Sequence, residues 1–84
     1  MRRFLVAGNW KMNTNRASGA ELAGALAVNA PASETGVEVL VCPPYPYLAG
    51  ISDVVSKSAV QLGAQDVYFE ASGAFTGEVS VEML

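Results

Sequence analysis

The sequence predicts an α/β fold in which parallel strands are joined by crossover helices. Short apolar runs of the kind buried on both faces of a parallel sheet recur at residues 4–7, 37–42 and 59–65. Stretches with helical character separate them, and prolines punctuate the changeovers at Pro31 and at Pro43-Pro44. The order β-α-β-α-β-(α) calls for right-handed crossovers, and both a doubly wound sheet and a (β/α) barrel begin this way.

Phe4-Leu5-Val6-Ala7 is the first strand, and residues 9–15 break it. A helix is expected over 18–30, with Leu22, Ala25, Leu26 and Asn29 along one face and alanines supplying propensity, until Pro31 ends it. Residues 37–42 form a β-branched second strand stopped by Pro43-Pro44, and a second helix covers 47–56. Residues 59–65 are a shorter third strand. Residues 66–79 carry Gly73 and Gly77 around Phe75 and read as a long loop, and 80–84 look like the N-cap and first turn of a further helix. Phe4, Val6, Val39, Val41, Val60 and Leu62 are expected on the inner, strand-enclosed face, away from the helices.

At 84 residues the chain allows one small domain, and 51% hydrophobic against 15% charged residues argues against disorder. That apolar fraction exceeds what so small a domain needs. With the helix begun at Ser80, it leads to the expectation that residues 1–84 are a single, incomplete part of a larger domain. The net charge is -3 and the cations Arg2, Arg3, Lys11, Arg16 and Lys57 are scattered or confined to the N-terminus, a poor basis for holding nucleic acid. One cysteine, Cys42, and no histidine exclude an internal disulfide and a Cys/His zinc site. No metal or cofactor is expected. The apolar opening stops at Gly8-Asn9, too soon for a secretory leader. The uncharged stretch 39–52 is broken by three prolines, so no membrane span is expected either. A cytoplasmic location follows.

In both candidate architectures, sites lie beyond the carboxyl ends of the strands. Asn9 and Lys11 follow the first strand two positions apart, which places them on one face if the strand continues, with Trp10 on the other. A lysine can hold a phosphate or a developing oxyanion, and an asparagine amide can donate to the same oxygen. The plainer reading is a solvated lysine and a turn asparagine.

Gly8-Asn9-Trp10-Lys11-Met12-Asn13 after an N-terminal strand resembles the opening of the triosephosphate isomerase family. Val41-Cys42-Pro43-Pro44-Tyr45-Pro46-Tyr47-Leu48 is similar to its next block. Gly63-Ala64-Gln65-Asp66-Val67-Tyr68 and the stretch from Ser72 to Ser80 resemble its third strand and long third loop. The match covers essentially the whole chain, with Asp66 where the family more usually has asparagine. It implies the first (βα)3 part of a (β/α)8 barrel that interconverts dihydroxyacetone phosphate and glyceraldehyde 3-phosphate through an enediolate. Asn9 would contact substrate oxygens, and Lys11 would balance the phosphate dianion and the enediolate charge. The glutamate base, the neutral histidine and the closing loop of that chemistry have no counterpart here. Glu21, Glu34 and Glu38 fall on the first helix or near the start of the second strand and read as facing solvent or the wrong end of the barrel.

The resemblance also implies a homo-oligomer. The loop 66–79 would dock beside the active site of a second subunit, with Thr76 near the partner subunit's Asn9 and Lys11, Phe75 entering a pocket, and Glu78 bracing the loop. Gln65 is expected to orient this constellation by side-chain hydrogen bonds, and Met12 and Trp10 read as packing groups, Met12 at the interface. Cys42 reads as a small apolar residue. Open strand edges give a further route to association. The whole is expected to be an isomerase fragment inactive by itself. The competing readings are a self-associating (βα)3 structural module and a phosphate-binding half-barrel, the latter weakened by the lack of a glycine-rich phosphate loop.

Overall fold

The computed structural model describes residues 2–31 and 35–84. Its elements are β1 (Phe4–Asn9), α1 (Arg16–Asn29), β2 (Val37–Cys42), a single 3-10 turn (Tyr45–Tyr47), α2 (Leu48–Val55) and β3 (Val60–Leu62). The strands form one parallel sheet in the order β1-β2-β3. The α/β class and the strand-helix alternation are those the sequence predicts.

Several boundaries move, each for a local reason. β1 runs two residues further than expected, because Gly8 and Asn9 pair opposite Val41 and Cys42 through backbone that needs no apolar side chain. The Trp10 N–H extends the ladder to the Cys42 carbonyl at 3.1 Å. α1 starts at Arg16 because Asn15 caps it: Asn15 Oδ1 accepts the Ser18 N–H at 2.8 Å, and Ser18 Oγ accepts the Asn15 N–H at 2.9 Å. This reciprocal box satisfies two otherwise orphaned donors. Pro46 shapes the 3-10 turn that precedes α2. β3 shrinks to three residues, although the Gly63 N–H still reaches the Val41 carbonyl at 2.9 Å.

The register sorts the sheet into two faces. Val37, Val39 and Val41 of β2 share a face with Phe4, Val6 and Gly8 on one side and Val60 and Leu62 on the other. This is the face that carries the helices: Val41 and Val60 are buried in one cluster with Ala23 of α1 and Ile51 and Val55 of α2, and Val39 and Leu62 pack against it. The expectation that these residues form the inner face is therefore corrected. Alternation tells which residues share a face but not which face receives the helices. The opposite face holds Leu5, Ala7, Asn9, Glu38, Leu40, Cys42 and Gln61.

α1 also presents a different stripe from the one expected. Gly19 and Ala23 are buried and Leu26 and Ala30 pack on the core, while Leu22, Ala25 and Asn29 are exposed. Small residues let the helix approach closely, so that a Cβ on Gly19 would lie 3.7 Å from Ile51 Cδ1. Beyond β3, an isolated bridge between Tyr68 and Ser80 closes the long loop, with the Tyr68 N–H on the Val79 carbonyl at 2.7 Å. The last residues form a single turn in which Leu84 N–H donates to the Val81 carbonyl. Among the described residues no helix is long and apolar enough to cross a membrane.

Candidate functional site

At the carboxyl end of β1 the chain stops behaving as a strand. Lys11 has φ 56° and Thr14 φ 76°, both in the left-handed region that non-glycine residues rarely occupy. Such a conformation costs on the order of 1 kcal/mol or more and persists only where surrounding contacts fix it. Here the contacts are polar. Asn9 Oδ1 accepts the Lys11 N–H at 2.9 Å, and Asn13 Nδ2 donates to the Trp10 carbonyl at 2.8 Å. Gln65 Nε2 donates both to the Lys11 carbonyl at 2.8 Å and to the Cys42 carbonyl at 2.9 Å.

One side chain beyond β3 thus ties together the ends of β1 and β2. Asn9 and Lys11 are brought together by a left-handed turn and a side-chain tie, not by the continued strand alternation that the sequence suggested. Trp10 anchors the segment by packing against the core cluster. With Oδ1 engaged, the Asn9 group that can meet an anionic oxygen is Nδ2. Lys11 is exposed and has no carboxylate partner among the described residues, so its ammonium is available to an anion. An amide donor and a cation at one strand end can bind phosphate or stabilise an oxyanion.

No described carboxylate is built into this strand end as a base. Glu21 is exposed on α1, and Glu38 sits near the start of β2, where its Oε2 lies 3.4 Å from Arg3 Nε and its Oε1 accepts from Gln61 Nε2 at 2.8 Å. Glu34 lies outside the described residues. Cys42 is half-buried.

The remaining candidates make their contacts elsewhere than with the Asn9 and Lys11 side chains. Phe75 stacks on Tyr68 with ring centroids 4.5 Å apart, and Tyr68 meets Phe69 at 4.7 Å. A Cβ on Gly73 (φ 141°) would fall 2.7 Å from Phe75 Cε2, so glycine is what allows the ring to fold back on its own loop. Phe75 remains 41% exposed. Thr76 and Glu78 are exposed, and the Glu78 N–H donates to the Phe75 carbonyl at 3.0 Å. Among the described residues no hydrogen bond links Thr76, Phe75 or Glu78 to Asn9 or Lys11. Met12 is 95% exposed, so any packing of its side chain is against something other than the described residues.

Tyr45 is a residue that sequence reasoning passes over. Its ring is half-buried, and its hydroxyl oxygen is shielded with no well-formed hydrogen bond among the described residues, the Asp66 backbone lying near enough only to favour the phenolate. Burial first, and then the carboxylates of Asp66 and Glu78, raise its pKa above the ordinary 10.0, while the Asp66 backbone pulls weakly the other way. A tyrosine between two prolines gives no sign of this, because the carboxylates that act on it, Asp66 and Glu78, belong to the distant 66–79 loop. The same ring lines an open apolar groove of about 690 Å³ with Leu48, Leu62, Val79, Met83 and Leu84. That groove lies on the helix-bearing side, lined by Leu48 of α2 and Leu62 of β3, and it includes neither Asn9 nor Lys11.

The model of the family described as Triosephosphate isomerase matches residues 4–84. The triosephosphate isomerase of Rhodopirellula baltica is 52% identical over 83 residues, which are 99% of this chain and 32% of that protein. Those of Herminiimonas arsenicoxydans and Dechloromonas aromatica are 50% and 49% identical over 84 residues, covering 100% of this chain and 33% of each relative. The chain spans about a third of the length of the curated relatives it matches.

Proposed function

The chain belongs to the triosephosphate isomerase family, and on that premise we propose that Asn9 and Lys11 form one limb of a site that interconverts dihydroxyacetone phosphate and glyceraldehyde 3-phosphate. The observation that carries this reading is the left-handed Lys11, fixed through its N–H by Asn9 and through its carbonyl by Gln65 at the end of β1. A fixed backbone sets where the Lys11 side chain leaves the strand end, which reduces the reorganisation needed when charge develops opposite its ammonium. That preorganisation is where most electrostatic catalysis resides. In this reading the Lys11 ammonium balances the substrate phosphate and the enediolate oxygen, and Asn9 Nδ2 donates to a substrate oxygen.

The 84 residues do not supply the rest. They contain no histidine, and none of their described carboxylates is tied into the strand end as a base. General acid and base groups each contribute about a hundredfold or more, so the chain by itself is proposed to be inactive. The whole reading includes cytoplasmic glycolysis and gluconeogenesis and a homodimer in which the loop 66–79, with Thr76 at its tip and Phe75 and Glu78 shaping it, enters the partner beside Asn9, Lys11, Met12 and Gln65. A second reading, a self-associating (βα)3 module, is favoured by the exposed apolar residues Phe4, Leu5 and Val6 of β1.

An isomerase assay separates them. The purified chain alone is expected to show background turnover, and mixing it with a polypeptide comprising the rest of the Rhodopirellula baltica barrel is expected to restore activity. Lys11→Met in that mixture removes the charge at similar length and should cost on the order of 3 kcal/mol of transition-state stabilisation, a hundredfold or more. Turnover by the chain alone within a few orders of magnitude of the intact relative would contradict its inactivity. Full activity with Lys11→Met would contradict the role of Lys11.

A further inference from the structure

The outer face of β2 is Val37, Val39 and Val41, the same residue at every second position. Side chains alternate with period two, so sliding β1 or β3 along β2 by two residues would leave every side chain on its own face and put valine where valine had been. Val6 would meet Val37 or Val41 in place of Val39, and Val60 would meet Val37 or Val41 just as well. Hydrophobic burial on the helix-bearing face therefore barely distinguishes the observed register from its neighbours. Something else must choose.

The other face is not repetitive. Glu38 stands in the central strand opposite Leu5 and reaches diagonally to both neighbours with different oxygens: Oε2 toward Arg3 Nε at 3.4 Å, Oε1 accepting from Gln61 Nε2 at 2.8 Å. At the opposite end of the sheet Gln65 Nε2 is shared between the Lys11 and Cys42 carbonyls. A two-residue slip of β1 against β2 would shift those carbonyls by roughly 6–7 Å, beyond the span of one amide nitrogen. A slip that carried Arg3 or Gln61 away from Glu38 would also break the amino-end ties.

We propose that Glu38 and Gln65 set the register of the three-stranded sheet, and that Glu38, at the end of the sheet far from Lys11, is a positioning residue for the Asn9–Lys11 strand end. The Arg3–Glu38 pair is too exposed to add much stability, and its role is selection among registers of similar burial. The choice fixes how far Asn9 and Lys11 project beyond Cys42. The inference concerns strand alignment and stands whether or not the site turns over substrate.

Isotope-edited NMR of the 84-residue chain tests it. The wild type is expected to show cross-strand NOEs between Val6 and Val39 and between Val41 and Leu62. In Glu38→Leu/Gln65→Leu a second set of strand resonances is expected, with Val6 contacting Val37 or Val41 and loss of the Trp10 N–H coupling to the Cys42 carbonyl. A folded double variant showing only the native pairs would overturn the proposal, since the helical connections would then suffice to align the strands. If that variant does not fold, charge reversal decides: Arg3→Glu/Glu38→Arg with Gln65→Leu restores the amino-end ties, because the Gln61 amide can accept as well as donate. Return of the native NOE pairs supports the register role, and their absence refutes it.

Discussion

A tyrosine hydroxyl shielded from water without a partner loses its hydration and gains nothing for it. Tyr45 comes close to that position, with only the Asp66 backbone near its oxygen, and an unpaired buried polar group costs about 1–3 kcal/mol, whereas the ring beneath it contributes apolar contact either way. Tyr45→Phe is therefore expected to stabilise the chain by about 1 kcal/mol at neutral pH, read as a higher urea midpoint. The raised pKa adds a pH signature. In the folded chain the phenol keeps its proton above pH 10.0, where the unfolded chain has begun to lose it, so the folded state binds more protons and stability falls as pH rises from 10 toward the folded value. Subtracting the Tyr45→Phe curve from the wild-type curve should isolate that loss, and parallel curves through the window would show that the hydroxyl is solvated. The residue types at the candidate site were legible: Asn9 and Lys11 follow an apolar run, where an amide and a cation invite an anionic reading. Their geometry was not, because a left-handed lysine leaves no mark in a sequence when the side chains holding it, Asn9 and Gln65, are 2 and 54 positions away.

α1 shows where pattern reading at the scale of an element succeeds and fails. Its existence was legible from alanine content and Pro31. Its buried face was not: the i, i+3, i+4, i+7 spacing points to Leu22, Ala25, Leu26 and Asn29, whereas close helix packing buries Gly19 and Ala23 and keeps only Leu26 of that stripe on the core. Asn15 and Ser18 fix the start of the helix, and Asn15→Ala should cost about 1 kcal/mol, a fall of roughly 4–8 °C in Tm for a domain of this size. Gly24 offers the opposite lever. A Cβ there would meet nothing closer than Val54 Cγ1 at 4.0 Å, so Gly24→Ala gains helix propensity without a clash and should stabilise by about 0.5–1 kcal/mol. Gly63→Ala is the control. Its Cβ would lie 3.1 Å from Cys42 Sγ and 3.4 Å from Leu40 Cδ2, and it is expected to destabilise unless both side chains yield. Thermal melts of the three glycine and cap variants read these signs directly, and a destabilised Gly24→Ala would mean that α1 packs more tightly than its contacts indicate.

At the scale of the whole molecule the sheet has two outer edges, β1 and β3, each with backbone donors and acceptors that no neighbouring strand among the described residues meets. The apolar surface is distributed to match. β2 is covered by both helices, but Phe4 is 69%, Leu5 60% and Val6 59% exposed, so β1 is open on both faces although its residues read as a doubly buried strand. That apolar character is legible in the sequence, whereas its exposure is not, because it depends on what lies beside the strand and among the described residues neither face of β1 is covered. At about 25 cal/mol per Å² of apolar surface, a few hundred Å² is worth several kcal/mol, comparable to the whole stability of a small domain. Covering β1 therefore competes with monomeric folding on equal terms. Analytical ultracentrifugation at micromolar concentration is expected to show dimers or larger species, with far-UV circular dichroism weakening on dilution. Leu5→Lys/Val6→Lys would charge one residue on each face of β1 and should shift the distribution toward monomer while leaving the cluster of Ala23, Val41, Ile51, Val55 and Val60 untouched. A cooperatively folding monomer that persists at nanomolar concentration would show that the helix-covered half of the sheet is enough to stand alone, and the self-contained (βα)3 reading would then be preferred to one limb of a larger barrel.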